Sequence, residues 1–392
     1  MGPEWMQALW LLLPVAALSG WIAARRGLTK TTEQTSSPIP PEYLKGLNYV
    51  LNEQPDKAIE LFIKMLEVDS DTVETHLALG NLFRRRGEVD RAIRIHQNLI
   101  ARPALSHEQR SLALLELGMD YMRSGLFDRA EGLFKELLES DAYTIQALTG
   151  LLDIYQQEKD WHECITIARR LQSISGERLD SIIAQFYCEL ASDNLSSGKN
   201  RETRDNLKRA LQADSKCVRA SLIEAGMARD AGKFKTAIRA YKRIAKQDAE
   251  YLPEIIGPMF DCYRELDRLD EYMMYLKDVV ENEGGITPLL YLTKLIEEIK
   301  GQEEAARYIS AALRKRPTVR GVDKLVEYAL TKADGEMRES LQTIKDMTGK
   351  LLENKPVYKC NNCGFDAKLM HWYCPSCKKW NTIKPVHGVE GE

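Results

Sequence analysis

Residues 79–96 read LGNLFRRRGEVDRAIRIH, and residues 117–134 read LGMDYMRSGLFDRAEGLF. Both stretches carry a Leu-Gly pair, an aromatic residue three positions after that glycine, a second glycine, and an alanine twelve positions after the first glycine. The second glycine of each stretch can adopt the left-handed conformation that ends a helix. A small residue early in the following helix lets two helices approach closely. The two stretches therefore predict a helical hairpin that is used more than once.

The small residue of the second helix recurs along most of the chain. It is found at Ala58, Ala92, Ala130, Cys164, Thr203, Ala237, Tyr272 and Ala306. The successive steps are 34, 38, 34, 39, 34, 35 and 34 residues, and a basic step of 34 is the tetratricopeptide period. We therefore predict an all-α tetratricopeptide-repeat superhelix over residues 42–354, with about eight repeats and one or two capping helices. The alternative, an unrelated helical bundle, does not explain the recurring step.

Stacked hairpins of this kind bind proteins or peptides on a concave face lined by their first helices. The candidate partner-binding residues on that face are Asn81, Arg84, Arg85, Met122, Arg123 and Arg229. The arginines suit an acidic partner segment. The alternative is that they are ordinary solvated side chains, as charged residues on helix surfaces usually are.

Four cysteines near the C-terminus form the strongest motif. Residues 360–377 read CNNCGFDAKLMHWYCPSC, a C-x2-C-x10-C-x2-C pattern. Two close pairs supply four thiolates for one tetrahedral metal ion, so we predict that Cys360, Cys363, Cys374 and Cys377 bind it. A closed four-thiolate shell favours a structural Zn²⁺ ion. Iron in a rubredoxin-like electron carrier is the alternative, and thiol–disulfide chemistry is disfavoured in a reducing compartment.

Residues 355–392 are thus predicted to be a small rubredoxin-like metal-binding domain. So short a segment depends on its metal for stability, with Phe365, Trp372, Tyr373 and Trp380 expected to cover the centre. The remaining cysteines fall within the helical repeats and are expected to be small core residues. These are Cys164, Cys188, Cys217 and Cys262.

The N-terminus has a different character. Trp5 to Ala24 are twenty residues without a charged side chain, and at about 1.5 Å per residue they match a bilayer core of about 30 Å. Arg25 and Arg26 follow, which favours a cytoplasmic position for the rest of the chain. We predict a single-pass transmembrane anchor over residues 1–26, a linker over 27–41 and an N-terminus on the side of the membrane opposite the cytoplasm. A cleaved signal peptide would carry its positive charges before the apolar run, and a buried soluble helix does not suit the flanking arginines and polar linker.

The composition excludes several function classes. The 392 residues include 55 Lys+Arg and 58 Asp+Glu, a net charge of −3, which gives no general attraction to nucleic acid. The sequence has no phosphate-binding glycine loop, dinucleotide fingerprint, H-E-x-x-H pair or G-x-S-x-G elbow. We therefore predict that the protein is not an enzyme and does not bind nucleic acid.

The combination of these parts resembles the lipopolysaccharide assembly protein B family of Gram-negative bacteria. The resemblance is carried by LLLPVAALSGW at residues 11–21 with the following Arg25-Arg26 pair, by the repeats, and by the CNNCGF and YCPSC segments. It covers essentially the whole chain. It implies that the metal segment folds back on the repeats and that both are needed for activity.

The resemblance also implies a role. Members are inner-membrane regulators of lipopolysaccharide synthesis that act with the FtsH-type membrane protease to promote degradation of the deacetylase that commits precursors to lipid A. They are also linked to lipopolysaccharide transport and assembly proteins. We therefore expect a membrane-tethered adaptor, and a homo-oligomer stays open. The rivals are a membrane-tethered rubredoxin-like electron-transfer protein and a scaffold of another membrane complex.

Overall fold

A computed structural model describes residue 21 and residues 41–68, 73–353, 355–388 and 391. The predicted anchor and linker lie outside these residues, apart from Trp21 and Pro41. Among the helices in the described ranges, none is both long and apolar enough to span a bilayer. The chain divides into two compact units, Met1–Gly150 and Leu151–Glu392.

The described residues form antiparallel helical hairpins, as the repeat period predicted. The first unit contains α1 (Pro41–Leu51), α2 (Pro55–Val68), α3 (Val73–Arg85), α4 (Val89–Ile100), α5 (His107–Ser124) and α6 (Phe127–Glu139). Helix α7 (Thr144–Glu158) crosses the boundary between the units. The second unit continues with α8 (Trp161–Ser175), α9 (Asp180–Ser196), α10 (Asn200–Ala213), α11 (Val218–Asp230), α12 (Phe234–Gln247), a 3₁₀ turn (Ala249–Tyr251), α13 (Leu252–Glu265), α14 (Leu269–Asn282), α15 (Ile286–Lys300), α16 (Gln302–Lys315), α17 (Val319–Leu330) and α18 (Gly335–Glu353).

The recurring small position lies at the fourth residue of each second helix and is fully buried. Seven of the eight predicted residues, from Ala58 to Tyr272, are 0% exposed. The eighth prediction is wrong by one residue, because Ala305 is 0% exposed and Ala306 is half-buried. Even the bulky Tyr272 is accommodated, since its hydroxyl donates to the carbonyl of Ile256 at 2.5 Å.

The glycine of the first helix has a steric role in the hairpin. At Gly80 an added Cβ atom would lie 2.4 Å from Nε2 of His96, and at Gly118 it would lie 2.6 Å from the ring of Phe134. No side chain fits at such a distance. The glycine therefore lets the large residue of the second helix pack directly on the backbone of the first.

A buried polar network crosses three helices of the first unit. Nδ1 of His96 on α4 lies 2.6 Å from Oδ2 of Asp120 on α5, and both side chains are 0% exposed. Arg84 on α3 donates to Oδ1 of Asp120 at 2.8 Å and to Glu116 at 2.6 Å. Buried charges require such pairing, so this network ties one hairpin to the first helix of the next.

Among the described residues, β-strands occur in the C-terminal metal segment. Strands β1 (Tyr358–Cys360), β2 (Asp366–Ala367) and β3 (Ile383–Pro385) form an antiparallel sheet in the order β2-β1-β3. Its small core consists of Tyr358, Cys360, Ala367, Cys374 and Ile383. We refer to residues 358–385 as the knuckle domain.

Candidate metal centre and its docking surface

Two similar turns position the four cysteines. In the first, the N–H of Gly364 donates to the carbonyl of Cys360 at 2.9 Å, and the N–H of Cys360 donates to the carbonyl of Phe365 at 2.8 Å. In the second, the same two bonds join Lys378 to Cys374 at 2.9 Å and Cys374 to Lys379 at 2.9 Å. Each C-x2-C pair is therefore folded by its own backbone into the same tight turn.

The two turns differ at one position that needs a left-handed backbone. Gly364 has φ +76° and Lys378 has φ +58°. Glycine adopts this conformation freely, whereas a residue with a Cβ atom is strained there by about 1–2 kcal/mol. The first turn is thus relaxed and the second is strained.

The turns bring the four sulfurs to the geometry of one metal cage. All four ligand atoms lie within 4.8 Å of one another. Cys360 and Cys377 have their sulfurs 3.7 Å apart, and so do Cys363 and Cys374. A tetrahedron with metal–sulfur bonds of about 2.3 Å has edges of about 3.8 Å, whereas a disulfide requires about 2.05 Å. The residues therefore fit a tetrahedral metal ion, and a four-sulfur cage of this kind accepts Zn²⁺ or iron.

Hydrogen bonds prepare the thiols unequally for ionisation. Burial opposes ionisation of Cys360, yet the Thr382 hydroxyl at 3.3 Å and the backbone N–H groups of Asn362 and Cys363 lower its pKa to about 6. Burial raises the pKa of Cys374 to about 11. A bound cation deprotonates coordinating thiols outright. The positive charge of the metal would therefore stabilise Cys374 as a thiolate despite its burial. With all four positions filled by protein, the centre has a structural character.

The cysteines of the repeats are separate from this centre. Cys164, Cys188, Cys217 and Cys262 are all buried, in agreement with their interpretation as core residues. Burial raises the pKa of Cys164 to about 12, which keeps that thiol protonated and unreactive.

The knuckle domain packs against helices of the second unit through Trp380. The indole N–H donates to Oε1 of Gln156 on α7 at 2.8 Å. The indole ring lies 6.3 Å from that of Trp161 and 5.8 Å from that of Phe186 on α9, both edge to face. The Tyr373 ring of the knuckle domain also packs on Trp380, with the ring centres 4.8 Å apart. Trp380 is thus an aromatic anchor between the metal segment and the helices.

A second anchor, Trp372, contacts the next repeats. Its ring stacks on Tyr251 at 5.6 Å, and the guanidinium of Arg219 on α11 lies 5.9 Å from the ring. The prediction that Trp372 and Trp380 cover the metal needs correction, because both rings pack against helices and the knuckle core is built from smaller residues. Phe365 does pack on that core.

Polar contacts complete the docking surface. Tyr358 donates to Glu254 on α13 at 2.6 Å. Lys384 pairs with Asp248 and lies 3.4 Å from Glu250, with its ammonium 4.3 Å from the centre of the Tyr251 ring. The knuckle domain therefore touches the first helices of four successive repeats, α7, α9, α11 and α13.

Sequence reasoning identified the metal ligands but not the helical side of this surface. Gln156, Trp161, Phe186 and Tyr251 belong to the repeats and have no local motif. The available signal was an excess of aromatic residues, since the knuckle is too small to bury two tryptophans in its own core.

The six predicted partner-binding residues have different environments. Arg84 is engaged with Asp120 and Glu116 of its own chain, so the structure gives no support to a partner contact there. Arg85 and Arg123 are exposed, whereas Asn81, Met122 and Arg229 are half-buried. Arg229 lies 3.2 Å from Asp230. For all six residues, partner binding stays a prediction.

The fold and the four-cysteine centre define a tetratricopeptide-repeat protein with a rubredoxin-type metal-binding domain. A family model described as a rubredoxin metal binding domain matches residues 358–385. Tetratricopeptide-repeat models match residues 75–108 and 188–251, and a PPR repeat model matches residues 48–69 and 120–141.

Full-length relatives narrow this class. The chain is 40% identical to lipopolysaccharide assembly protein B of Escherichia coli K12, over 98% of this chain and 100% of the relative. It is 37% identical to the protein of that name from Haemophilus influenzae, over 98% and 99%. The chain belongs to the lipopolysaccharide assembly protein B family. Among solved structures, a chain of the Naa15/Naa10 complex bound to HypK aligns with TM-score 0.40 and 14% identity, over 79% of this chain and 46% of that one, which is too remote to inform function.

Proposed function

We propose that the protein is a scaffold that regulates lipopolysaccharide synthesis and assembly. The observation that carries this proposal is the match to lipopolysaccharide assembly protein B along 98% of the chain at 40% identity. The helical repeats are suited to binding protein partners, and the closed four-cysteine centre is suited to holding a structure together.

The mechanism we propose is that of an adaptor for regulated proteolysis. The repeats bind the deacetylase that commits precursors to lipid A, and the membrane-facing part of the chain brings it to an FtsH-type protease. Further contacts with lipopolysaccharide transport proteins would couple synthesis to export. The support for this finer statement is the family resemblance.

Membrane attachment is part of the proposal. Residues 1–26 would form a single inner-membrane span, with the N-terminus in the periplasm and the repeats in the cytoplasm. Two proteins confined to one membrane meet at a raised effective concentration without new contacts. The uncharged run from Trp5 to Ala24, followed by Arg25 and Arg26, supports this topology.

The decisive experiment measures the half-life of the deacetylase in cells after protein synthesis is stopped. Cells that lack their own family member would carry an empty vector, the full chain, a chain without residues 1–26, or Cys360→Ser. We expect rapid turnover only with the full chain. The matched control is Leu369→Ala, which changes a knuckle residue that is 73% exposed. Unchanged turnover without residues 1–26 would exclude the tether, and unchanged turnover without the protein would exclude the adaptor.

The metal is proposed to act structurally, as Zn²⁺ or iron. Metal analysis and a visible spectrum of the purified full chain would test this role. We expect that any bound iron can be replaced by zinc without change in deacetylase turnover. If zinc-loaded protein were inactive while the iron form cycled between two redox states, electron transfer would replace the structural role.

A further inference from the structure

The last helix, α18, exposes an apolar stripe. Met337, Ile344, Met347 and Leu351 are 65%, 42%, 61% and 54% exposed, and at helical spacing they lie on one side of α18. Thr348 is the residue of this helix that is buried, and it bonds to Asp323 on α17 at 2.7 Å. Helix α18 thus covers α17 with one strip of its surface and leaves the adjoining apolar strip in water.

The stripe lies on the last helix of the repeat stack. In a stack of repeats, the outer face of each hairpin is covered by the next hairpin, and a terminal hairpin needs a polar outer face to stay soluble. Within the described part of the chain no helix follows α18, because the chain continues into the knuckle domain. The stripe is therefore an unfilled stacking surface.

Charges beside the stripe favour one occupant. Met337, Ile344 and Leu351 are spaced by seven residues, and the neighbouring row of the helix is Glu336, Thr343 and Lys350. In an antiparallel pair of α18 helices centred near Ile344, Glu336 of each copy faces Lys350 of the other. Both side chains are exposed, and among the described residues neither forms an ion pair. In a parallel pair, Glu336 would instead lie beside Glu336 of the other copy, and like charges would repel.

We propose that two copies of this chain associate through antiparallel pairing of their α18 helices about a two-fold axis. The same patch serves both copies, which makes the interface closed and isologous. The stripe runs over 14 residue steps from Met337 to Leu351, about 21 Å of helix, so the interface belongs to the small, weak class. The dimer therefore forms and dissociates with protein concentration. This association goes beyond the proposed function.

Sedimentation velocity of the full chain in mild detergent, over a hundredfold concentration range, tests the interface. We expect a monomer–dimer equilibrium whose dissociation constant rises at least tenfold in Met347→Asp. The matched control is Met274→Asp on α14, where the side chain is 64% exposed outside the stripe, and it should leave the equilibrium unchanged. All substituted side chains are exposed, and circular dichroism checks that each variant is folded.

A charge swap tests the antiparallel register. Glu336→Lys alone and Lys350→Glu alone should each weaken the dimer about tenfold, because like charges then face each other at both ends of the interface. The double variant should restore it, since each Lys again meets a Glu of the other copy. The proposal would be overturned if the protein were monomeric at every concentration or if Met347→Asp left the dimer unchanged. It would also be overturned if the double variant dimerised as weakly as the single variants. Open-ended association would also overturn it, and would indicate head-to-tail stacking on Leu44 and Leu51 of α1, which are 51% and 79% exposed.

Discussion

Trp380 anchors the knuckle domain to the helices without binding the metal, so its replacement separates docking from metal binding. Trp380→Ala removes the hydrogen bond to Gln156 at 2.8 Å and the ring contacts with Trp161, Phe186 and Tyr373. Large aromatic truncations at packed sites cost about 3–5 kcal/mol. Because Trp380 is half-buried, we take the lower end, about 3 kcal/mol, which is about a hundredfold in the docking equilibrium.

A second variant divides this effect. Trp380→Phe keeps an aromatic ring but loses the indole N–H, so it should cost about 1 kcal/mol for the hydrogen bond. The ratio between the two variants then reports how much of the docking energy is apolar.

Amide hydrogen exchange of the metal-loaded full chain measures the docking. We expect Trp380→Ala to speed exchange in α7, in α9 and in the knuckle strands, with unchanged metal content by mass spectrometry. Leu369→Ala, at a knuckle residue that is 73% exposed, should leave exchange unchanged. Full protection in Trp380→Ala would refute the anchor, and loss of metal in that variant would show that docking and metal binding are inseparable.

The other predictions concern the turn, the buried network and the metal. Gly364→Ala should lower the metal affinity about fivefold, because an alanine at this positive φ adds about 1 kcal/mol of backbone strain. Lys378→Gly should raise the metal affinity by a similar factor, because it removes such strain. Chelator competition measures both affinities, and a rise for Gly364→Ala or a fall for Lys378→Gly would contradict the strain argument. Asp120→Asn should destabilise the first unit by about 3 kcal/mol in urea unfolding, since Arg84 and His96 lose a buried carboxylate, and an effect no larger than that of the exposed control Asp128→Asn would count against this role. Chelation of the metal should abolish exchange protection in the knuckle and weaken it in α7 and α9 while most far-UV helical signal persists; collapse of helicity in the first unit would be the contrary result.

The repeats and the metal ligands were predictable because each is encoded locally. Close helix packing demands a small residue at a fixed spacing, and the period of 34 located buried positions from Ala58 to Tyr272. The last assignment failed because Ala305 and Ala306 are both small, so composition could not set the register. The cysteine spacing identified its ligands because each turn is closed by its own backbone.

Long-range pairings were not predictable from one sequence. The hydrogen bond between Trp380 and Gln156 joins residues 224 positions apart, and no local pattern specifies which helix this indole contacts. The environment of Arg84 was not predictable for a related reason. A surface arginine and one that neutralises a buried aspartate look alike in sequence, and Asp120 lies 36 residues away.

The docked knuckle has a mechanical consequence. A solenoid of hairpins is elastic, because small rotations between neighbouring repeats add up along its length. The knuckle domain contacts four consecutive first helices, at Gln156, Phe186, Arg219 and Glu254. These contacts restrict the three angles between the four repeats together. Removing the metal would turn this stretch from a stiff element into a compliant one, with its sequence of helices unchanged.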